Sequence, residues 1–595
     1  MTKGVSSFIS LSLCLLAIHI GTSVSVVLQN PSQLSSRASF DFIVVGSGPG
    51  GATVASRLSE NHRFNVLLIE AGTDNEGVLD LQVPGFMLQI PKTYEWNTTT
   101  APIASLGGRS IDFQRGHVLG GGSSVNGMAY TRGAADDYNR WARLTGDDGW
   151  RWNNLWKYIR KNERFTTAPN SRNVTGEFNP EFHGYSGTLQ VSVQGAPHTL
   201  LDRLALESVQ AQNEFSFNRD YNSGRPIGLG FLQTTIGNGE RSSAATGYLN
   251  ASVRARPNLT ILLNTFVTRV LSAGRESKTN RINSIEIGNR AERRILRTIT
   301  ANNEVILSAG VLGSPQILLN SGIGDTRELN ALGIRTIHNL PDVGRNFADH
   351  VNLAVTYLPT ANATPPIDPV SAMQQWTTSR SGPFIGQVFN ANHLLLARIP
   401  SNSSVWNGRQ DPSSGSYTPH IEHIPMELAY PGLSMIGGLA VLLQPTSVGS
   451  VKLRSKSPFD EIILQPGYLQ SQLDLDVLAE GIRLVKRFTS TPGWANVLGA
   501  PTYPDPDVLP RNEWVVAVRQ QASAGLHGVG TASMSPRSSR DGVVTPDLKV
   551  KGLEGLRVVD ASVIPKPSSG HTQVPVYILA ERAAELIAED WSRGR

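Results

Sequence analysis

Cysteine is almost absent from this chain, since Cys14 is the only one in 595 residues. It lies within residues 1–25, where Lys3 precedes an apolar run that ends in small residues. This pattern is typical of a secretory signal peptide, and cleavage after Ser25 would remove the cysteine. The mature protein would then have no disulfide, no thiol nucleophile and no cysteine ligand for a metal.

Two further absences limit the partners of the protein. Beyond the first segment no run reaches 18 apolar residues, so the sequence predicts no membrane span. The net charge of +5 comes without a long block of lysine and arginine, which disfavours nucleic-acid binding. Charged residues make up 17% and hydrophobic residues 39%, a globular balance over a length that allows two or more domains.

Sequons for N-glycosylation recur along the chain. Together with the signal peptide they predict a secreted, extracellular glycoprotein. The sequons begin at Asn97, Asn173, Asn250, Asn258, Asn362 and Asn402.

A strand–turn–helix–strand unit opens the folded part of the chain. The sequence predicts a buried parallel strand over Phe40–Val45, a helix over residues 52–58 and a second strand over residues 65–69. The turn has the G-x-G-x-x-G spacing that brings a helix N-terminus onto a pyrophosphate, and Glu70 is placed to bind ribose hydroxyls. The turn residues are Gly46, Gly48, Pro49, Gly50 and Gly51.

The unit therefore predicts an ADP-containing dinucleotide. No second fingerprint of this kind occurs, so a separate nicotinamide domain is not expected. The cofactor would exchange electrons with the substrate directly, which favours FAD over NAD.

Two α/β parts and one insertion make up the predicted domain organisation. Residues 40–345 and 526–595 would form the FAD-binding domain, and residues 346–525, with short apolar runs between Pro, Gly and Ser, the substrate domain. Leu556–Val559 is predicted as a strand ending at Asp560, and Val576–Ala588 as the closing helix. The predicted fold class is α/β, a Rossmann-type FAD-binding domain with an inserted α+β substrate domain on an antiparallel sheet.

Histidines near the C-terminus are the candidates for acid–base chemistry. His527 lies in a glycine-rich turn, and His571 comes just before the closing helix, so both are expected at the carboxyl edge of the sheet. His117 and His350 are interpreted as structural.

His420 and His423 do not predict a metal site. In a strand their spacing puts the two rings on opposite faces, and no third ligand is evident.

The segment Arg115–Gly133, RGHVLGGGSSVNGMAYTRG, predicts a ligand cradle, because its glycines leave backbone N–H groups bare. It also resembles a segment of the glucose–methanol–choline (GMC) oxidoreductases. Further motifs of that family follow in the family's order, over residues 40–590. They are GSGPGGATVASRLSE with IEAG, SAGVLGSPQILLNSGIG, LPDVGRNFADH, LHGVGTASMSP and GLRVVDASVIPKPSSGHTQVPVYILAERAAELI.

The resemblance, greatest to fungal aryl-alcohol oxidases and pyranose dehydrogenases, implies roles for individual residues. His527 would take the hydroxyl proton of an alcohol while hydride passes to flavin N5, and His571 would orient the substrate oxygen. Phe389, Asn392 and Leu526 would border the substrate. The implied flavin contacts, besides the fingerprint and Glu70, are Gly122, Asn126, Gly127, Met128, Ala129, Val267, Asp560, Ala561, Thr572, Gln573 and Val574.

Three positions depart from the family pattern. Val125 stands where some relatives have the histidine that attaches FAD covalently, so the FAD is predicted to be non-covalent. Leu526 replaces the aromatic residue usual before the base in aryl-alcohol oxidases, and Val574 replaces a glycine of those enzymes.

The sequence thus predicts a secreted, FAD-dependent oxidoreductase that converts an alcohol to an aldehyde. Aryl or allylic primary alcohols are the first expected substrates, with O2 or a quinone as electron acceptor. The alternatives are a sugar (pyranose) dehydrogenase and, from another class, a flavin-containing hydroxynitrile lyase.

Overall fold

A computed structural model describes residues 26–195, 198–272, 280–360, 367–386, 392–430 and 433–592. The helices are α1 Pro49–Leu58, α2 Leu79–Gln82, α3 Ala135–Thr145, α4 Trp152–Asn162, α5 Leu200–Ala211, α6 Ala244–Gly247, α7 Ala251–Arg254, α8 Gly310–Asn320, α9 Thr326–Ala331, α10 Pro369–Ser379, α11 Gln472–Phe488, α12 Pro492–Ala495, α13 Arg511–Gln521 and α14 Gln573–Ser592.

The strands in the same parts of the chain are β1 Val26–Leu28, β2 Phe40–Val45, β3 Val66–Ile69, β4 Glu163–Phe165, β5 Leu189–Val193, β6 Gly228–Phe231, β7 Gln233–Thr234, β8 Ile236–Gly237, β9 Glu240–Arg241, β10 Leu259–Leu262, β11 Phe266–Ser272, β12 Ile282–Asn289, β13 Arg294–Leu307, β14 Ile323–Gly324, β15 His338–Asn339, β16 Val351–Pro359, β17 His393–Ala397, β18 Ile421–Tyr430, β19 Leu433–Leu442, β20 Ser450–Lys452, β21 Ile463–Gln465, β22 Leu498–Pro501, β23 Ser523–Ala524 and β24 Leu556–Val558.

A mixed eight-stranded sheet forms the nucleotide-binding half of the fold. Its order is β1-β10-β3-β2-β13-β12-β11, and β24 pairs with β13. Five neighbouring strands of this sheet are parallel, namely β1, β10, β3, β2 and β13. Every residue of β2 and β3 is buried, as expected for strands covered on both faces. The long strand β13 continues into an antiparallel pairing with β12, so one sheet has both characters.

Close backbone contacts explain the glycines between β2 and α1. Gly46 has φ +97°, and a side chain there would meet the carbonyl oxygen of Ser308 at 2.4 Å. A Cβ on Gly51 would lie 1.9 Å from the carbonyl oxygen of Gly46, so only glycine lets α1 pack this close to the strand. The last helix, α14, is tied to α1 by the buried carboxylate of Glu581, 2.7 Å from Arg57 Nη2.

The second large sheet is antiparallel and has seven strands. Its order is β22-β16-β19-β18-β17-β6, and β23 pairs with β16. Helix α11 packs on one face, where Ile421, Ile436 and Ala440 join its apolar side in one buried cluster. The opposite face, with Glu422, Ile424 and Val441, borders a large cavity.

These sheets confirm the predicted fold class. The closing helix begins at Gln573, three residues before the predicted start, while the strand at residues 556–558 lies where expected. The division into domains at residues 345 and 525 stays a prediction, as does the signal peptide, whose residues lie outside the described ranges. Within those ranges, no helix has both the length and the apolar character needed to cross a bilayer.

Candidate active site

A cavity of about 930 Å³ lies between the carboxyl edge of the mixed sheet and the antiparallel sheet. The fingerprint turn borders it, and so do His527, His571 and Leu526. Most residues predicted to contact a flavin also line it, namely Gly46, Gly48, Pro49, Gly50, Glu70, Gly122, Asn126, Gly127, Met128, Ala129, Val267, Asp560, Ala561, Thr572 and Gln573.

The fingerprint end of the cavity fits the ADP half of FAD. Helix α1 begins after Gly48 without a side-chain cap, so its first N–H groups are free for a phosphate. A Cβ on Gly48 would meet no atom within 4 Å, which shows open space in front of the helix. The carboxylate of Glu70 accepts hydrogen bonds from the backbone N–H groups of Ser47 and Gly72 and still borders the cavity.

The glycine-rich segment forms a wall against the fingerprint. Gly121 has φ +53°, and a side chain there would meet the Cα atom of Gly48 at 2.8 Å, so the two glycine segments are in direct contact. Met128 has φ +63°, an uncommon conformation for a residue with a side chain. Asn126 is fixed by Arg241, whose Nη1 donates to its carbonyl oxygen at 2.6 Å.

His527 is held as a neutral ring with a defined tautomer. His350 Nε2 lies 3.1 Å from the carbonyl oxygen of Ser568, which can only accept, so this nitrogen has the hydrogen. Burial lowers the pKa of His350 to about 3, so its Nδ1 keeps a lone pair. His527 Nδ1 lies 3.0 Å away and must donate to it. The lone pair of His527 is therefore on Nε2, the nitrogen suited to accept a proton.

Burial also keeps His527 uncharged. Its pKa lies well below the usual value, mainly because of burial and secondly because His571 is close. The two rings are 4.7 Å apart, centroid to centroid, and nearly perpendicular at 83°. A neutral imidazole beside the cavity can take a proton from a hydroxyl group, which a protonated ring could not.

His571 differs from His527 in having a hydrogen on the Nε2 atom. The hydroxyl oxygen of Thr131 accepts the backbone N–H of His571 at 2.6 Å and lies 3.0 Å from its Nδ1. The Nε2 atom lies 3.5 Å from a carboxylate oxygen of Glu422, which favours a hydrogen on Nε2. His571 thus offers an N–H donor to the cavity next to the acceptor of His527.

Three side chains, those of Asp349, Tyr468 and Arg115, fix the turn that carries His527. The carboxylate of Asp349 accepts the backbone N–H of His527 at 2.6 Å and the hydroxyl of Tyr468. Arg115 Nη2 donates to the carbonyl oxygen of Leu526 at 2.8 Å. Burial raises the pKa of Asp349 to about 6. Leu526 itself has φ +62°, so these bonds hold the turn in an uncommon conformation.

Some predicted positions need correction. Asn392 does not border the cavity, because it is buried and donates from Nδ2 to Asp202 at 2.7 Å. Val574 lies in the first turn of α14, fully buried in the hydrophobic core, and does not line the cavity as its neighbours Gln573 and Val576 do. Gly51 packs against Gly46 instead of lining the cavity. Phe389 lies outside the described residues.

The histidines interpreted as structural divide into two kinds. His117 packs against Trp96, with ring centroids 4.4 Å apart, but His350 contacts His527 and so belongs to the site. His420 and His423 bond to Asp411 and to the carbonyl oxygen of Leu439 respectively. In the described part of the chain no group of three or more His, Cys, Asp or Glu residues could hold a metal ion.

The sequence reasoning missed several residues of the site. Asp349 and His350 adjoin within the motif LPDVGRNFADH, so that motif contained a signal. Glu422 and Asn352 have no local signal, because their place at the cavity depends on how distant strands pair.

Two family models match this chain. Both describe a GMC oxidoreductase, the N-terminal model over residues 40–352 and the C-terminal model over residues 445–580. The chain belongs to the GMC oxidoreductase family. The resemblance predicted from the motifs is thereby confirmed, and with it the oxidoreductase class.

Similar proteins and structures refine this picture. The chain is 40% identical to pyranose dehydrogenase 2 of Leucoagaricus meleagris and 39% identical to a pyranose dehydrogenase of Agaricus xanthodermus, with 98% of each chain covered. A formate oxidase structure from Aspergillus oryzae, in a study of FAD modification, has a TM-score of 0.83 at 26% identity and covers 94% of this chain and 100% of its own. A fungal aryl-alcohol oxidase has a TM-score of 0.80 at 26% identity, covering 93% and 100%.

These similarities change the order of the expected substrates. The two relatives at 40% and 39% identity are named for pyranoses, whereas the aryl-alcohol oxidase is similar at only 26% identity. They favour the sugar alternative over the aryl-alcohol expectation.

Proposed function

We propose that this protein is an FAD-dependent dehydrogenase that oxidises a hydroxyl group of a pyranose. The observation that carries the proposal is the pair of neighbouring rings at one cavity, a proton acceptor at His527 Nε2 and an N–H donor at His571 Nε2. The pyranose dehydrogenases that share about two fifths of the sequence support the choice of sugar.

The proposed mechanism assigns one step to each histidine. His571 Nε2–H binds the oxygen of the reacting hydroxyl and holds it beside His527. His527 Nε2 takes the hydroxyl proton while the C–H bond on the carbon that bears this hydroxyl group breaks. The fingerprint and the glycine-rich wall would hold FAD between them, and the bound cofactor would supply the oxidising power as the hydride acceptor. The lowered pKa of His527 keeps this base unprotonated in mildly acidic medium.

The remaining partners follow from the same proposal. A dehydrogenase passes its electrons to a quinone or another organic acceptor more readily than to O2. The signal-peptide pattern over residues 1–25 supports secretion, where sugars from outside the cell would be the substrates.

Anaerobic mixing tests the proposal directly. The purified holoenzyme is mixed with a panel of pyranoses and a panel of aryl alcohols, and bleaching of the flavin absorbance is recorded. We expect rapid bleaching with at least one pyranose, and faster reoxidation by benzoquinone than by air-saturated buffer. An enzyme bleached by aryl alcohols and by no pyranose would contradict the sugar assignment.

A further inference from the structure

Three directly paired residues form a row across the antiparallel sheet, with one polar side chain on each side of an apolar one. Asn352 of β16 pairs with Val441 of β19, and Val441 pairs with Glu422 of β18. Directly paired residues share one face of a sheet, and all three line the cavity. Two strand spacings separate Asn352 from Glu422, about 10 Å between their Cα atoms.

Both polar side chains have unused hydrogen-bonding capacity. Oε2 of Glu422 and Oδ1 of Asn352 are buried and have no hydrogen-bond partner among the described residues. The Nδ2 atom of Asn352 donates to the carbonyl oxygen of Ala524, three residues before His527. Buried acceptors without donors are costly, so a ligand that supplies donors at both positions is favoured over one that does not.

The row also lies at the reacting end of the cavity. Glu422 is 3.5 Å from His571, and Asn352 pairs with Ser523 of the strand β23 that leads into the His527 turn. The next residues on the same face, Ile424 and Leu439, are apolar. On this face of the sheet, the polar side chains of this row are therefore followed by apolar ones as the strands lead away from the two histidines.

We propose that Glu422 and Asn352 bind hydroxyl groups on opposite edges of a polyhydroxylated ring whose C–H face lies on Val441. This subsite rests on the proposed function and identifies the residues that would select a pyranose. A monohydroxy aryl alcohol leaves both acceptors unpaired. A site built to bond a substrate hydroxyl discriminates strongly against an analogue that lacks it.

The test uses the anaerobic bleaching rate of the holoenzyme at varied concentrations of D-glucose and its monodeoxy analogues. In the wild type, at least one analogue should raise the half-saturating concentration about tenfold to a hundredfold, as expected for one hydrogen bond to a charged group. Glu422→Leu should show the same rise with D-glucose and no further rise with that analogue. Glu422→Gln, which keeps an acceptor oxygen, should show a smaller rise. Asn352→Leu should behave like Glu422→Leu toward a different analogue.

A matched control comes from the same strand. Glu427 is buried on β18 five residues further on, at a position of the opposite face, so Glu427→Gln should leave every half-saturating concentration unchanged. If Glu422→Leu raises these concentrations equally for D-glucose and all analogues, Glu422 acts through His571 and the subsite is refuted. If no pyranose bleaches the wild type, the proposed function fails and the subsite fails with it.

Discussion

At the scale of single residues, the site depends on which nitrogen of each histidine has the hydrogen. The carbonyl oxygen of Ser568 fixes His350, and His350 in turn fixes His527, through bonds of 3.1 and 3.0 Å. His350 does not itself line the cavity and reaches it only through His527, so we regard it as a positioning residue. Its effect is exerted entirely on the ring that would take the proton.

Replacing His350 tests whether these two hydrogen bonds fix the tautomer of His527. His350→Leu removes the acceptor for His527 Nδ1, and we expect the bleaching rate to fall about tenfold or more, the equivalent of one hydrogen bond. His350→Gln offers an amide oxygen to His527 and an amide N–H to Ser568, so it should recover most of the rate. Equal rates in wild type and His350→Leu would show that the tautomer of His527 does not depend on His350.

The same residue makes a pH-dependent contribution to stability. In the unfolded chain His350 takes up a proton near pH 6.5, but in the fold its pKa is about 3. Between these values the unfolded state binds more protons, so the contribution of His350 to stability falls as the pH is lowered. The limiting slope is about 1.4 kcal/mol per pH unit for one group.

His350→Gln isolates this contribution, because the raised pKa of Asp349 acts in the opposite direction in both proteins. Thermal unfolding midpoints measured between pH 7 and pH 4 should therefore converge, or change order in favour of the variant, as the pH falls. A constant difference across this range would contradict the depressed pKa of His350.

At the scale of elements, the glycine-rich wall is held from behind by one buried cation. Arg241, at the end of β9, donates to the carbonyl and side-chain oxygens of Asn126, at 2.6 and 3.0 Å. Burial alone lowers its pKa to about 9. The wall and the fingerprint turn are in contact through Gly121 and Gly48, so the position of one depends on the other.

Arg241→Met should loosen this wall. The carbonyl oxygen of Asn126 would lose its donor, a cost of about 1–3 kcal/mol for a buried group. We expect weaker retention of FAD, measured as the ratio of flavin to protein absorbance after gel filtration, and partial recovery in Arg241→Lys. Full flavin occupancy in Arg241→Met would show that the wall does not need this support.

The valine at position 125 predicts that the flavin is attached without a covalent bond. It lines the cavity at the position where some relatives have the linking histidine, and a valine cannot form that bond. Precipitation of the holoenzyme with trichloroacetic acid should release the flavin into the supernatant. A yellow pellet would contradict a non-covalent cofactor.

At the scale of the whole molecule, the two large sheets contribute different residues to one cavity. The parallel strands present the fingerprint, and the antiparallel sheet presents Glu422 and Asn352 to the same cavity. Among the sequon asparagines that the structure describes, Asn258 is buried, and its Nδ2 donates to the carbonyl oxygens of Ser59, Asn61 and Phe64.

Glycosylation should therefore be uneven. Asn97, Asn173 and Asn402 are exposed, whereas a glycan on Asn258 would require those three hydrogen bonds to break. After deglycosylation with an amidase, peptide mass spectrometry should find aspartate at the exposed positions and asparagine at 258. Quantitative conversion at position 258 would contradict the packing around this residue.

The sequence predicts those features of the fold and the site that depend on residues close together in the chain. The turn at Gly46–Gly51 follows from local spacing, and so does Glu70 at the end of the next strand. The strand before Asp560 was predicted for the same reason. The contacts between His350 and His527, 177 residues apart, and the row of Asn352, Val441 and Glu422 depend on the register of distant strands. No local pattern contains that register, so these contacts became visible only in the fold.

The measurement that tests the central claim most directly is the rate of anaerobic flavin bleaching by D-glucose in wild type and in His527→Ala. Removal of a general base typically costs a factor of about 10² to 10⁴. We predict a fall in that range with unchanged flavin content. A rate near that of the wild type would contradict the role of His527. A flavin that stays oxidised while mandelonitrile is cleaved to aldehyde and cyanide would contradict the oxidation itself.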